Sequence, residues 1–239
     1  MKIHRFIADI DLSPDTIRLQ DEALVHQLGR VLRLQTGMLI QVCDGKGHEV
    51  ILHITEITKT SVRGEVQERL TSQPESVRLV TLYAAILKRE NMEWVIQKAT
   101  EVGVHQIVPL ITHRTIKQDI RLDRLQQIAH EATEQCGRGM IPFVSPPRLF
   151  REALVDASSH DQNFFFHTQD VTSYTKPKPL SSLAEKLGVF IGPEGGWDEE
   201  EMMMAMQAGL ESRTLGTFVL RGETAAIIAS YLIIHQLAL

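Results

Sequence analysis

Phe190-Ile191-Gly192-Pro193-Glu194-Gly195-Gly196-Trp197, running into Asp198-Glu199-Glu200, reads as a strand end, a glycine-rich turn and a helix start. Glycine accepts positive φ and lets the backbone approach a ligand, while Pro193 stiffens the turn. The acids that follow favour the positive end of a helix and would repel a phosphate placed there, so a neutral or cationic ligand suits this turn. A tight strand-to-helix connection without any ligand accounts for the same residues equally well. A second junction, Leu215-Gly216-Thr217-Phe218-Val219-Leu220-Arg221-Gly222-Glu223-Thr224-Ala225, sets Arg221 and Glu223 at another strand-to-helix switch. Such a pair commonly does no more than cap a helix.

Around these turns the chain alternates between strand and helix patterns. Upstream lie strand 78–87, helix 90–102, strand 106–112, helix 121–136, a short helix near 149–155, strand 163–167 and helix 180–187. Strand 189–192, helix 199–208, strand 212–219 and a last helix from Glu223 complete the series. The expected fold class is α/β, with a mostly parallel sheet covered on both faces and ligands at the carboxyl ends of its strands. The last helix is apolar nearly all round, so it should be buried on more than one side, inside the monomer or at a subunit interface.

The first part of the chain follows a different pattern. Short strands are expected over 40–43, 49–57 and 61–66, with the turn Asp44-Gly45-Lys46-Gly47 joining the first two, and a helix over 21–34. These suit a small β-barrel with one helix. The polar stretch Leu70-Thr71-Ser72-Gln73-Pro74-Glu75-Ser76 reads as a linker, giving domains 1–72 and 73–239.

Composition narrows the function classes. A net charge of −5 over 239 residues argues against indiscriminate nucleic-acid binding, so any RNA footprint must be local. Cys43 and Cys136 lack metal-ligand spacing, and neither a disulfide framework nor a metal site is expected. No apolar run reaches the roughly eighteen residues of a membrane span, and the charged start MKIHRFIADIDL does not suit a secretory signal; a cytoplasmic protein is expected. Phosphate-binding loops of the GxxxxGK[ST] and GxGxxG types are missing, as are HExxH and GxSxG.

GPEGG at 192–196 and LG-x-x-x-LR-x-ETA at 215–225 are together far more specific than either alone. With Arg5-Phe6, His26, Val31-Leu32-Arg33, Gln97-Lys98-Ala99-Thr100-Glu101-Val102-Gly103 leading to Pro109, and Glu134-Gln135-Cys136-Gly137-Arg138 leading to Pro142, they resemble the RsmE family of ribosomal RNA small-subunit methyltransferases, in the SPOUT superfamily. The resemblance implies a PUA-like RNA-binding β-barrel, a methyltransferase domain with a C-terminal trefoil knot, and a homodimer. It implies S-adenosylmethionine as cofactor, held by Phe166, His167, Thr168, Ile191, Gly192, Pro193, Glu194, Gly195, Gly196, Leu215, Gly216, Phe218, Val219, Leu220 and Thr224. The reaction implied is methylation of ring nitrogen N3 of a uridine in 16S ribosomal RNA. The sequence departs from the family at Phe218, where an arginine is usual.

Since N3 is unreactive while protonated, the reaction calls for a cation to stabilise the uridine anion and a base to take the proton. Arg221 and Arg138 are the candidates for the first role; Glu223, ahead of Glu194, is the candidate for the second. Arg5, His26, Arg30 and Arg33 in the first domain, with Lys88, Arg89 and Lys98 in the second, are the candidate RNA contacts. Two rival readings stand beside this one: a non-catalytic RNA-binding or ribosome-assembly factor of the same fold, and a methyltransferase of the same class with another RNA target.

Overall fold

The computed structural model describes residues 3–71, 75–116, 119–168 and 184–235. Two compact units emerge: Met1–Glu75 with Thr133–Ile141, and Ser76–Ala132 with Pro142–Leu239.

The first unit carries β1 (His4–Ile7), β2 (Thr16–Leu19), α1 (Glu22–His26), β3 (Leu39–Cys43), β4 (His48–Ile57) and β5 (Val62–Thr71). They form a five-stranded sheet in the order β1-β3-β4-β5-β2, antiparallel except where β1 runs parallel to β3. Asp21 caps α1 by accepting from the Leu24 amide at 2.8 Å, and the helix continues as a π-helical turn, Gln27–Val31. The expected helix over 21–34 stops short of its end, because Arg33 adopts φ 52. Alternate strand residues Ile40, Val42, Leu52 and Ile54 pack with Phe6, Ile17, Leu19 and Leu28 into the core of this unit. Its other anchor is the segment from Thr133: Arg5 pairs with Glu49 at 2.8 Å and donates to the carbonyls of Thr133 and Arg138.

Gly64 has no room for a side chain, since a Cβ there would lie 2.6 Å from Leu52 Cγ and 2.7 Å from the His53 carbonyl oxygen. Backbone on the adjacent strand cannot step aside. Gly64→Ala is therefore expected to cost about 1–3 kcal/mol, seen as a lower urea midpoint for this unit.

The second unit is α/β, with β6 (Leu79–Ala85), α2 (Arg89–Val102), β7 (Gln106–Ile111), α3 (Leu122–Cys136, whose last turn belongs to the first unit), β8 (Phe143–Val144), β9 (Arg148–Leu149), α4 (Phe150–Ala157), β10 (Gln162–Phe166), β11 (Lys186–Ile191), α5 (Glu199–Gln207), β12 (Glu211–Arg213) and α6 (Gly222–Ile234). The sheet runs β12-β10-β11-β6-β7-β8, with β9 also on β7, and every pairing is parallel. The strands of such a sheet are buried on both faces, as the near-continuous apolar runs of β6 and β11 show. Tyr83 stacks on Phe190 with centroids 4.3 Å apart and gives its hydroxyl hydrogen to Asp156 at 2.8 Å; burial, then that hydrogen bond and the Asp156 charge, push its pKa far above the ordinary tyrosine range.

Two expected elements differ. The first half of the helix expected over 180–187 lies outside the described residues, and its last two residues, Lys186 and Leu187, are strand paired with β6 and β10. The strand over 212–219 ends at Arg213, beyond which Gly216 takes φ 116 and Phe218 and Val219 are exposed. Helix α6 packs on α2, β6 and β11, burying Ala226, Ala229, Ser230, Ile233 and Ile234 but leaving Ile228 and Tyr231 exposed. Its all-round apolarity is thus only partly used within the monomer.

Candidate active site

The sheet changes direction of growth between β6 and β11: β7 and β8 extend it one way, β10 and β12 the other. Loops leaving neighbouring strands at such a point diverge, opening a crevice at their carboxyl ends. A cleft of about 820 Å³ occupies that position, large enough for a nucleoside-sized ligand.

One wall is the 192–197 turn. The Gly196 amide donates to the Pro193 carbonyl at 2.9 Å, and Gly196 takes φ 72, closing a tight bend. Trp197 folds back beneath it, so a Cβ on Gly192 would sit 3.0 Å from the indole. The indole N–H donates to the Phe166 carbonyl at 2.9 Å, tying this turn to the end of β10. The acids after the turn cap α5: Asp198 accepts from the Glu200 amide at 2.9 Å and Glu201 from the Asp198 amide at 3.0 Å.

The second wall is 166–168, where His167 Nε2 lies 2.8 Å from Ser212 Oγ. The third is 214–221, which leaves the edge strand β12 and delivers the chain to α6 against the middle of the sheet. At its end a Cβ on Gly222 would lie 3.0 Å from Leu87 and 3.5 Å from the Gly192 carbonyl, so the start of α6 presses on the first wall. Glu223 lines the cleft, and one of its carboxylate oxygens, Oε2, is buried and has no hydrogen-bond partner among the described residues. Arg221 is exposed at the rim, with no carboxylate within 4.0 Å among the described residues.

Of the residues expected to hold a cofactor, all but Thr224 line this cleft, together with Arg221, Glu223 and Lys88. The other candidates lie elsewhere. Arg138 does not line the cleft; it belongs to the first unit and pairs with Glu75 at 2.9 Å. Arg89 pairs with Glu93 at 3.3 Å and Lys98 with Glu101 at 2.7 Å. In the first unit Arg5 is held by Glu49, whereas His26 at the end of α1, Arg30 on the π-helical turn and Arg33 just after it are exposed. Sequence reasoning missed Asn91, Arg114, Trp197 and Met202, which also line the cleft. Arg114 was findable in principle, because it follows the carboxyl end of the strand next to β6. Among the described residues no cluster suits a metal ion, and no helix is long and apolar enough to cross a membrane.

Comparison with known proteins agrees with this geometry. A family model described as an RNA methyltransferase domain matches residues 73–234, and one described as an RNA methyltransferase PUA domain matches residues 20–67. Ribosomal RNA small subunit methyltransferase E of Rickettsia conorii is 29% identical, the match covering 96% of this chain and 94% of that protein. Its namesake from Synechocystis is 31% identical over 87% of this chain and 69% of its own. The crystal structure of ribosomal RNA small subunit methyltransferase E from Neisseria gonorrhoeae bound to S-adenosyl methionine is 32% identical, with a TM-score of 0.84 over 96% of this chain and 95% of that one. With a methyltransferase model over most of the chain and relatives matched nearly end to end, this chain belongs to the ribosomal RNA small subunit methyltransferase E family.

Proposed function

We propose that this protein transfers a methyl group from S-adenosylmethionine to ring nitrogen N3 of a uridine in 16S ribosomal RNA of the small subunit. The observation that carries the reading is the cleft itself, whose glycine-lined wall leaves backbone exposed to a ligand and whose lining includes the carboxyl-bearing residues Glu194 and Glu223. A sulfonium cofactor fits that chemistry: apolar Ile191, Leu215 and Leu220 suit its uncharged parts, and Glu194 and Glu223 suit its positive charge. When bound, S-adenosylmethionine supplies an already activated methyl group, so no covalent enzyme intermediate is required.

The residues of this chain have the remaining tasks. The walls at 166–168, 192–196 and 215–220 hold and orient the cofactor, with Trp197 fixing two of them to each other. Arg221, a planar cation with a fork of donors, stabilises the negative charge that spreads onto the uridine carbonyl oxygens as N3 loses its proton. Glu223 accepts that proton, directly or through water. Arg138, bound to Glu75, is left a structural part by this reading, and Lys88 with His26, Arg30 and Arg33 makes up the phosphate contacts.

The same reading includes a PUA-like barrel over 1–72, a methyltransferase domain over 73–239 with a trefoil knot formed around the three walls, and action in the cytoplasm. The return of α6 from the edge strand β12 to β6 and β11 supports the knot. A homodimer is supported by exposed Ile228 and Tyr231 on α6 and Trp94 on the adjoining α2. If that apolar face is the interface, Tyr231→Glu should convert a dimer to a monomer in size-exclusion light scattering, with the wild type at twice the monomer mass.

The activity is tested by labelled-methyl transfer to isolated small subunits, followed by mass mapping of the product. Label on N3 of one uridine is expected. Binding of small subunits without binding of S-adenosylmethionine in calorimetry would favour the non-catalytic alternative.

A further inference from the structure

Arg114 stands in the loop after β7, and that loop is bolted to the first wall of the cleft. Glu201 Oε1 accepts from the His113 amide at 2.9 Å while its other oxygen caps α5, and the Thr112 amide donates to Thr115 Oγ1 at 3.0 Å. From this fixed loop Arg114 reaches the glycine turn, donating from Nη1 to the Gly195 carbonyl at 2.7 Å. Its aliphatic stem packs over Gly195, with Cδ 3.4 Å and Cβ 3.5 Å from where a Cβ on that glycine would lie.

The electrostatics of Arg114 set it apart from most arginines nearby. Arg89, Arg121, Arg124, Arg148 and Arg213 each have a carboxylate within 4.0 Å. Arg114, exposed at the cleft, has none among the described residues, and only one of its donors is taken by Gly195. A guanidinium has five N–H donors in a planar fork, so an edge remains that matches the oxygens of a phosphodiester. In a chain of net charge −5, such an uncompensated cation is a local landing point for a polyanion.

Given the methyl-transfer reading of the cleft, on which this depends, we infer that Arg114 is a substrate-binding residue. It grips a backbone phosphate of the RNA strand beside the target nucleotide, while its bond to Gly195 holds the phosphate site and the cofactor wall in one rigid piece. RNA placement and cofactor placement then share a single side chain, so a strand seated on Arg114 is in register with the methyl donor.

The test compares wild type with Arg114→Gln and Arg114→Lys, each first shown by thermal melting to be folded. Binding of isolated small subunits is measured at several salt concentrations, and binding of S-adenosylmethionine is measured separately by calorimetry. Arg114→Gln should weaken RNA binding roughly tenfold, the scale of one charge-assisted hydrogen bond, and flatten the salt dependence by about one unit of slope. Arg114→Lys should keep the slope, and in both variants any loss of cofactor affinity should be smaller than the loss of RNA affinity in Arg114→Gln. A large loss of cofactor binding with an unchanged salt slope would overturn the inference, making Arg114 a brace for the glycine turn or a ligand of the cofactor. Wild-type RNA affinity and slope in Arg114→Gln would overturn it too, while leaving methyl transfer by the wild type intact. A wild type that neither binds the cofactor nor labels RNA sinks the parent reading, and this one with it.

Discussion

Arg221→Ala should lower methyl transfer to isolated small subunits by roughly 10²–10³-fold, the loss typical of removing one preorganised donor from a developing anion. The side chain sits at the rim of the cleft in the turn before α6, exposed and without a carboxylate within 4.0 Å among the described residues, so its truncation removes no ion pair that holds the fold. Stability should therefore stay within about 0.5 kcal/mol of wild type. The loss should appear in kcat, with KM for the subunit little changed, because the anion forms only on the way to the transition state. Arg221→Lys should recover part of the rate, since a point charge lacks the fork that spans two carbonyl oxygens. A rise in KM at unchanged kcat would instead make Arg221 a ground-state phosphate contact. Glu223→Gln in the same assay separates the partners: if Glu223 takes the N3 proton, its deficit should shrink as the pH of the assay is raised and hydroxide substitutes for the base.

The parts of this protein that were legible in its sequence are those whose signal is local. The walls at 192–196 and 215–221 were readable because glycines, a proline and a switch in periodicity fall within a few residues of one another. The parallel sheet followed from the alternation of patterns. Other features depend on contacts between distant residues. Strand β1 is four residues long and pairs in parallel with β3, more than thirty positions away, so nothing within it announces a strand. Arg5 stands among the candidate RNA contacts on its charge alone, and nothing local shows that it reaches 128 residues along the chain to the Thr133 carbonyl. Thr217-Phe218-Val219 has the composition of a strand but stands out in a loop, because Gly216 at φ 116 breaks the ladder first. Arg114 was missed for the same reason, being 81 residues from the carbonyl it holds.

Trp197→Ala should be the most destabilising substitution in the second unit, at about 3–5 kcal/mol. The indole is only 6% exposed, its centroid 4.6 Å from Phe165 and 5.0 Å from Phe150, and its N–H closes on the Phe166 carbonyl. Removing it opens a cavity under the glycine turn and leaves a buried carbonyl without its donor, two costs that fall on the same few residues. For a chain of this length the melting temperature should fall by roughly 6–20 °C. Cofactor affinity should fall with it, because two of the three walls meet through this ring. Two milder variants separate the effects. Trp197→Phe keeps an aromatic ring but not the N–H, and should cost about 1–3 kcal/mol with a smaller loss of cofactor binding. Gly192→Ala keeps the ring but drives a methyl to within 3.0 Å of it, so the turn must shift while the core survives. Its melting temperature should stay near that of wild type, and its calorimetric affinity for S-adenosylmethionine should drop at least tenfold. If Trp197→Ala binds the cofactor as tightly as wild type, the indole is packing alone and the walls take their shape from elsewhere.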